Sequence, residues 1–318
     1  MQVSLALTVL NEGTYLHQLL DSIEQQTRPP DEVIICDGGS SDNTLSVIYE
    51  YSHRLPIRIL TRTGANISTG RNTAIKAAHG DIIAVTDSGV RLAPEWLEQL
   101  VTPFGQEKVV LAAGFFLADA QTIFEMAMGA TVLPALDDIN PASFLPSSRS
   151  VAFRKTAWEA IGGYPEWLHH SEDVVFDLRM RERFGDFVFV PTALAYFRPR
   201  ESLKSFARQY YLYAAGDGHA GIFARLHFVR YFTYLIAVPL GLYAALTVSP
   251  AIWMLGVLAK LAYLRRPLIR ANRLWGSLSP IQRSNVILLL PIIRLVGDMA
   301  KMLGYPVGLW KKLTKGKK

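Results

Sequence analysis

The residues of this sequence best suited to chemistry are carboxylates at the ends of apolar runs. Asp37 closes the run EVIICD and is followed by Gly38, Gly39, Ser40, Ser41 and Asp42. The glycines allow a ligand close to the backbone, Asp42 can cap a following helix, and Asp37 is free to accept from a base or ribose. Thr8, Asn11 and Glu12 form a polar cluster where the run LALTVL ends. Gly70, Arg71 and Asn72 lie near an expected helix start, where an arginine can meet a base carbonyl or a phosphate. Asp87 ends the run IIAVTD, and a carboxylate there can hold Mg2+ or Mn2+ bridged to substrate phosphates. Glu172 and Asp173 open EDVVFDLRMRERFG and offer a general base; the loop before them, with Trp167, His169 and His170, can form an acceptor pocket. Each cluster also has an ordinary structural use: a βα turn, a solvated arginine, a capping aspartate, or carboxylates complementing a helix dipole.

These groups matter only if something brings them to one place. From residue 3 to about 130, strand-like runs (VSLALTVL, EVIICD, IRILT, DIIAVTD, VVLAAGFF) alternate with helical stretches. Leu16, Leu19, Leu20 and Ile23 fall at helical spacing, and TGRNTAIKAAH after Ser68 has a cap and few breakers. Such alternation predicts an α/β fold, a mostly parallel sheet with helices on both faces. Ligands of open α/β sheets bind at the carboxyl ends of the strands, the edge to which Asp37 and Asp87 are assigned. Further on, LPALDDINPASFLPSSR reads as a loop, SVAFRK and FVFVPT as strands, and ESLKSFARQYYLYAAG as a last amphipathic helix. The following GDGH, Gly216 to His219, is either a glycine-capped helix end or a segment that closes over a diphosphate, with His219 a candidate contact.

Composition separates the chain into an expected soluble region, 1–228, and an apolar helical region, 229–318. Net charge is +6, and the tail KKLTKGKK contributes five lysines. Tyr231–Ser249 is nearly free of charge, and at 1.5 Å per residue its helix would extend about 28 Å, close to a bilayer core. A shorter run carrying Lys260 follows Pro250, then Arg265, Arg266, Arg270 and Arg273, which mark the cytoplasmic side of a membrane hairpin. The run from 285 to 310, with Arg294, Asp298 and Lys301, reads as interfacial. Membrane lipids are thus expected partners. Nucleic acid is not, since no basic stripe with interleaved aromatics runs through the folded part. The lone Cys36 lies in an apolar strand and reads as core in a reducing compartment. No secretory signal is visible, which places the first region on the cytoplasmic face of the membrane.

Taken in order, the strand-one NE cluster, the DGGSSD turn, the G-R-N helix start, Asp87, the GGY segment and the Glu172-Asp173 pair resemble the family 2 glycosyltransferases over about residues 3 to 220. The resemblance implies a GT-A fold, with Thr8, Asn11, Glu12 and Asp37 binding the nucleoside of a nucleotide-sugar donor, usually uridine, and Arg71 near the nucleotide. It implies Mg2+ or Mn2+ on the diphosphate at Asp87, and Asp173 as the base of an inverting transfer, with Glu172, Trp167 and His219 as further acceptor or diphosphate contacts. Two departures stand out. The Asp-x-Asp metal motif reads Asp87-Ser88-Gly89, so the second carboxylate is missing; and the Gln-x-x-Arg-Trp motif of processive members is reduced to Gln209 within QYYLY, which implies a single transfer. The implied acceptor is a hydroxyl on a lipid-linked or cell-envelope glycan. The rival readings are a membrane-anchored binding protein of the same fold that has lost catalysis, favoured by Gly89, and a nucleotidyltransferase, disfavoured because NEGTYLHQ is not a Gly-rich basic loop.

Overall fold

The computed structural model describes residues 1–315, so the last three residues of the lysine tail lie outside it. In chain order the main elements are β1 (Val3–Val9), α1 (Gly13–Glu24), β2 (Glu32–Asp37), α2 (Thr44–Tyr51), β3 (Ile57–Thr61), α3 (Ile67–Ala77), β4 (Ile82–Val85), β5 (Val90–Leu92), α4 (Trp96–Val101), β6 (Leu111–Ala118), α5 (Ile123–Val132), β7 (Val151–Arg154), α6 (Lys155–Ala160), α7 (Glu172–Phe184), β8 (Val188–Phe197), α8 (Leu203–Ala220), α9 (Ala224–Phe232), α10 (Val238–Thr247), α11 (Ile252–Asn272) and α12 (Pro280–Lys315). They form two compact units: residues 1–119 with 136–198, and residues 120–135 with 199–318. The boundary expected at 228 is therefore drawn differently by packing. α5 and α8 belong with the C-terminal helices, because their apolar faces are buried against α11 and α12.

The first unit is an α/β unit with one eight-stranded sheet in the order β3-β2-β1-β4-β7-β6-β8-β5. β3, β2, β1 and β4 are parallel, as is β6 with β8; β7 runs antiparallel to β4 and β6, and β5 antiparallel to β8. The apolar runs are continuous because the central strands are covered on both faces. Side-chain alternation sorts them: Leu5, Leu7, Val33 and Ile35 join Leu16, Leu20, Val47 and Trp96 on one face. Ala6, Ile34, Cys36, Ile83 and Val85 join Ile75, Ala157, Phe176 and Met180 on the other. Cys36 is buried, and that burial pushes its thiol up, consistent with a core role. The short β5, absent from the strand pattern of the sequence, forms by pairing with a β8 that runs to Phe197, past the expected FVFVPT.

Where β7 meets β6, the Ser150 hydroxyl accepts from Trp96 Nε1 at 2.8 Å and donates to the Ala193 carbonyl at 2.9 Å, while Gly114 donates its N–H to Ser150 O at 2.9 Å. A Cβ at Gly114 would overlap the Ser150 side chain. This seam fixes the start of β7 and, with it, the residue just before Ser150.

In the second unit, α5 and α8 pack with α11 and α12 around Met128, Phe206, Val286, Leu290 and Ile293. The run expected to be interfacial is one helix, α12, whose Gly304 and Gly308 let it approach α8 so closely that a Cβ at either would overlap the backbone of Tyr211 or Ala215. Asp298 accepts from Arg230 at 2.9 Å, from Tyr234 at 3.0 Å and from Tyr263, so the polar groups of these apolar helices satisfy one another. Among the described residues, one helix, Ala224–Thr247, is long and apolar enough to cross a membrane; a π-helical turn at Thr233–Ala237 joins α9 to α10 within it. The second arm of the expected hairpin, α11, is not a second such helix.

Trp96 is fully buried and holds the Ser150 seam. Trp96→Ala is expected to destabilise the protein by about 3–5 kcal/mol, read from the urea midpoint; an unchanged midpoint would contradict this account of the core.

Candidate active site

The β1–β2 register pairs Val9 with Asp37, so the loops after both strands leave the sheet side by side. They are stitched together. Asn11, in a left-handed conformation (φ 56°), donates its N–H to Ser40 Oγ at 2.9 Å and accepts the Ser41 N–H at 2.8 Å. Glu12 N–H donates to Thr44 Oγ1 at 2.8 Å, and Gly13 N–H to Asp42 at 3.2 Å. Asp42 also accepts from Thr44 at the start of α2, but the N-cap position is Asn43 and the helix has no side-chain cap.

Two of the expected nucleoside contacts have partners within the protein. Asp37 does not stand free: it is buried, and its oxygens accept from Gly39 N at 3.0 Å, from Ser40 N at 3.1 Å and from the Ser40 hydroxyl at 2.5 Å. Its carboxylate builds the turn whose backbone lines the edge, as an aspartate does in an Asx turn. Thr8 donates to the Cys36 carbonyl at 3.1 Å, and Gly70 of α3 sits so near that a Cβ would overlap the Thr8 hydroxyl. Thr8 thus marks a helix–strand seam.

α3 begins one residue before Ser68, capped by Asn66, whose side chain accepts the Thr69 N–H at 2.9 Å. Arg71, one turn in, is 2% exposed. Its Nη2 donates to Asp87 Oδ1 at 2.6 Å and its Nη1 to Glu172 Oε1 at 2.8 Å, with the guanidinium 5.3 Å from the Tyr164 ring. Arg71, expected near the nucleotide, has both terminal nitrogens on carboxylates, and so pins the end of β4 to the start of α7. The two carboxylates keep Arg71 firmly protonated although burial opposes its charge.

Asn72, the next residue of the Gly70-Arg71-Asn72 cluster, holds the GGY loop. Its amide donates to Tyr164 O at 2.8 Å and to Glu166 Oε1 at 3.0 Å, and its Oδ1 accepts the Tyr164 N–H at 2.9 Å. Asn66 donates to Glu166 O at 2.6 Å. The Gly70-Arg71-Asn72 spacing was the available signal: adjacent helix residues point to different neighbours, one to the acids and one to the loop. That loop carries the half-buried Trp167 and delivers the chain to Ser171, a non-glycine residue at φ 61° that caps α7. Such a conformation costs of order 1 kcal/mol and here aims the first two residues of α7. Glu172 is buried on Arg71, and Asp173 is less buried, one oxygen accepting the Val174 N–H at 2.9 Å. His219 belongs to the other unit, on α8.

A second arginine also reaches Asp87. Arg149 Nε lies 3.9 Å from Asp87 Oδ2, and its carbonyl accepts from Thr86 Oγ1 at 2.9 Å. Sequence reasoning had placed Arg149 in a connecting loop; nothing in the local pattern shows that β7 returns antiparallel beside β4. The same geometry tests the expected metal. A divalent cation seeks several oxygen ligands. Here one carboxylate faces two guanidiniums, Gly89 brings no side chain, and no group of three or more His, Cys, Asp or Glu side chains that could hold a metal occurs among the described residues. The residues present do not fit the ion.

Burial, joined by the negative charge of Asp173, pushes the Glu172 carboxyl up to about 7 even though Arg71 pulls it down. Asp177, one turn further along α7, is fully buried and is likewise pushed up, by burial first and Asp173 second. A carboxyl raised in the folded state binds its proton more tightly there than in the unfolded chain, so its contribution to stability is complete at low pH and fades as pH rises through the folded value. For Glu172 that window runs from its ordinary value near 4.5 to about 7. Stability measured by urea unfolding is expected to fall across this window, and Glu172→Gln is expected to flatten that part of the slope. Identical pH profiles for the two proteins would show that Glu172 does not titrate as described.

Residues 4–155 match the family model described as glycosyl transferase family 2. The chain is 33% identical over 181 residues to a chondroitin synthase of Pasteurella multocida, covering 57% of this chain and 19% of that protein. It is 32% identical over 106 residues to the putative glycosyltransferase EpsH of Bacillus subtilis, covering 33% of this chain and 31% of that one. The chain thus spans at most about a third of the length of these curated relatives. Among solved structures, it resembles Staphylococcus aureus TarS 1–349 in complex with UDP (TM-score 0.53, 17% identity, 99% of this chain and 92% of that one). It also resembles the mannosyltransferase PcManGT of Pyrobaculum calidifontis in complex with GDP-Man and Mn2+ (TM-score 0.58, 16% identity, 99% and 87%). The fold is of the GT-A type, and residues 4–155, within the N-terminal α/β unit, are similar to glycosyl transferase family 2.

Proposed function

We propose that the protein transfers a sugar from a nucleotide-diphosphate donor, a UDP-sugar, to a hydroxyl of a lipid-linked or cell-envelope glycan acceptor, once per encounter and with inversion. The observation that carries this reading is the Arg71 bridge, which ties Asp87 to Glu172 and so holds Asp173 beside the end of β4. The stitched β1 and β2 loops supply backbone for the nucleoside, consistent with the UDP and GDP-Man named for the two structural neighbours. Asp173 takes the proton of the acceptor hydroxyl. The acceptor oxygen forms its bond to the anomeric carbon as the bond from that carbon to the diphosphate oxygen breaks, and direct displacement inverts the centre. Asp173 suits this role better than Glu172, which is committed to Arg71. Single transfer is supported by the place where processive relatives carry Gln-x-x-Arg-Trp: here Gln209 donates to Tyr213 at 2.7 Å, and no arginine follows it in the run.

For the second unit we propose attachment to the cytoplasmic leaflet of a membrane. Leu226, Phe228, Leu235, Leu240, Leu246, Trp253 and Met254 are exposed on α9 to α11, and Arg265, Arg266, Arg270 and Arg273 follow on or just after α11. Apolar surface beside arginines suits anionic headgroups.

Two measurements test these readings. Asp173→Asn, assayed against a panel of nucleotide sugars with a polyprenyl-linked or glycan acceptor, is expected to lose at least about 100-fold in turnover with donor affinity retained; near wild-type turnover in the folded variant removes Asp173 from its role. Nucleotide binding with neither transfer nor donor hydrolysis in the wild type would instead favour a binding protein. In detergent-free sedimentation the protein is expected to pellet with phosphatidylglycerol vesicles, and recovery in the supernatant would reject the membrane assignment.

A further inference from the structure

The Asp87 carboxylate is held from two sides by guanidinium groups, and the two are not equivalent. Arg71 is 2% exposed and has its second terminal nitrogen on Glu172, so it has little left to offer a ligand. The Arg149 side chain is 23% exposed and reaches Asp87 from the turn before β7. We propose that Arg149 supplies the positive charge that meets the donor's diphosphate, so that this site binds its nucleotide without a divalent cation. The inference rests on the nucleotide-sugar reading above.

Three features of the fold support it. The first is placement. The Arg149 carbonyl is tied to Thr86, the residue before Asp87, and the next residue is Ser150, locked by Trp96 and Ala193; the arginine therefore starts from a fixed point at the end of β4. The second is orientation. The guanidinium stacks 4.4 Å over Phe197 and 6.0 Å from Phe116, and its Nη1 donates to Ser147 Oγ at 2.9 Å. A planar fork held in this way loses little further freedom on binding and matches a phosphate's paired oxygens. The third is charge. A metal ion at Asp87 would sit beside the guanidiniums of Arg71 and Arg149, whereas a diphosphate oxygen placed at Arg149, in competition with Asp87, would meet opposite charge in a partly buried setting where the attraction is stronger than in water. Gly89 completes the pattern: the residue that would answer a metal is absent, and the arginine that would answer a phosphate is present.

The test is titration calorimetry of UDP and of GDP into the full chain in detergent micelles, once with EDTA and once with Mn2+. Wild-type affinity for the preferred nucleotide is expected to agree within threefold between the two buffers. Arg149→Ala is expected to lose tenfold or more in both, with Arg149→Lys recovering part of the loss. Gly89→Asp places a carboxylate where a Cβ meets nothing within 4 Å, and is expected to create a Mn2+-dependent gain in affinity that the wild type lacks. A wild type that loses more than threefold with EDTA, or an Arg149→Ala protein that binds within threefold of wild type, overturns the proposal. Should Arg149→Ala fail to fold, the wild-type buffer comparison and Arg149→Lys still decide it. If a folded wild type binds neither nucleotide in either buffer, the nucleotide-sugar reading itself falls and takes the proposal with it.

Discussion

The α/β unit is organised around one buried cation. Arg71 sits inside the protein with a carboxylate on each terminal nitrogen, one from the end of β4 and one from the start of α7. A buried guanidinium must be paired, and removing one partner of such a pair typically costs about 3–5 kcal/mol. The pairing therefore does more than stabilise. It obliges two segments, 85 residues apart in sequence (172 − 87), to keep their acids at the same point, and Asp173 follows Glu172 there as the next residue.

Everything around the pin limits how it can move. Asn66 and Asn72 on the same helix secure the GGY loop, so α3 fixes both the loop and the helix that the loop introduces. On the sheet side, Asp37 turns its carboxylate inward to shape the loop after β2, and Asn11 ties that loop to the end of β1. Polar side chains that look like ligand contacts thus divide into two kinds. Arg71, Asp37 and Asn72 are turned inward to build the edge, while Arg149 and Asp173 retain exposure. Placement at a strand's carboxyl end brings a residue to the site; burial decides which of these jobs it does.

Much of this was legible in the chain itself. The alternation of apolar runs and amphipathic stretches is a local property, and β1, β2, β3 and α7 lie where the pattern put them. The acids at the ends of β2 and β4 were legible for the same reason: a carboxylate needs hydrogen-bond partners, so it marks where an apolar run gives way to polar surroundings. The missed parts depend on partners distant in sequence. β5 is three residues long and exists because β8 is beside it. The grouping of α8 with the C-terminal helices depends on packing, since an amphipathic helix does not reveal which neighbour covers its apolar face.

The sequence by itself determined the identity and order of the elements and the set of residues able to do chemistry, because both follow from local periodicity and residue type. Only the tertiary structure decided which partners hold each of those residues. Whether an arginine is sealed inside as a pin or stays partly open depends on the partners the fold brings to it and on how much of it water can reach. Arg71 and Arg149 are the same side chain beside the same aspartate, and only packing, which buries one and leaves the other partly open, distinguishes them. The same physics removes the expected freedom of Asp37 and leaves Asp87 to two guanidiniums, because a buried charge is held by whichever partner the fold brings within reach.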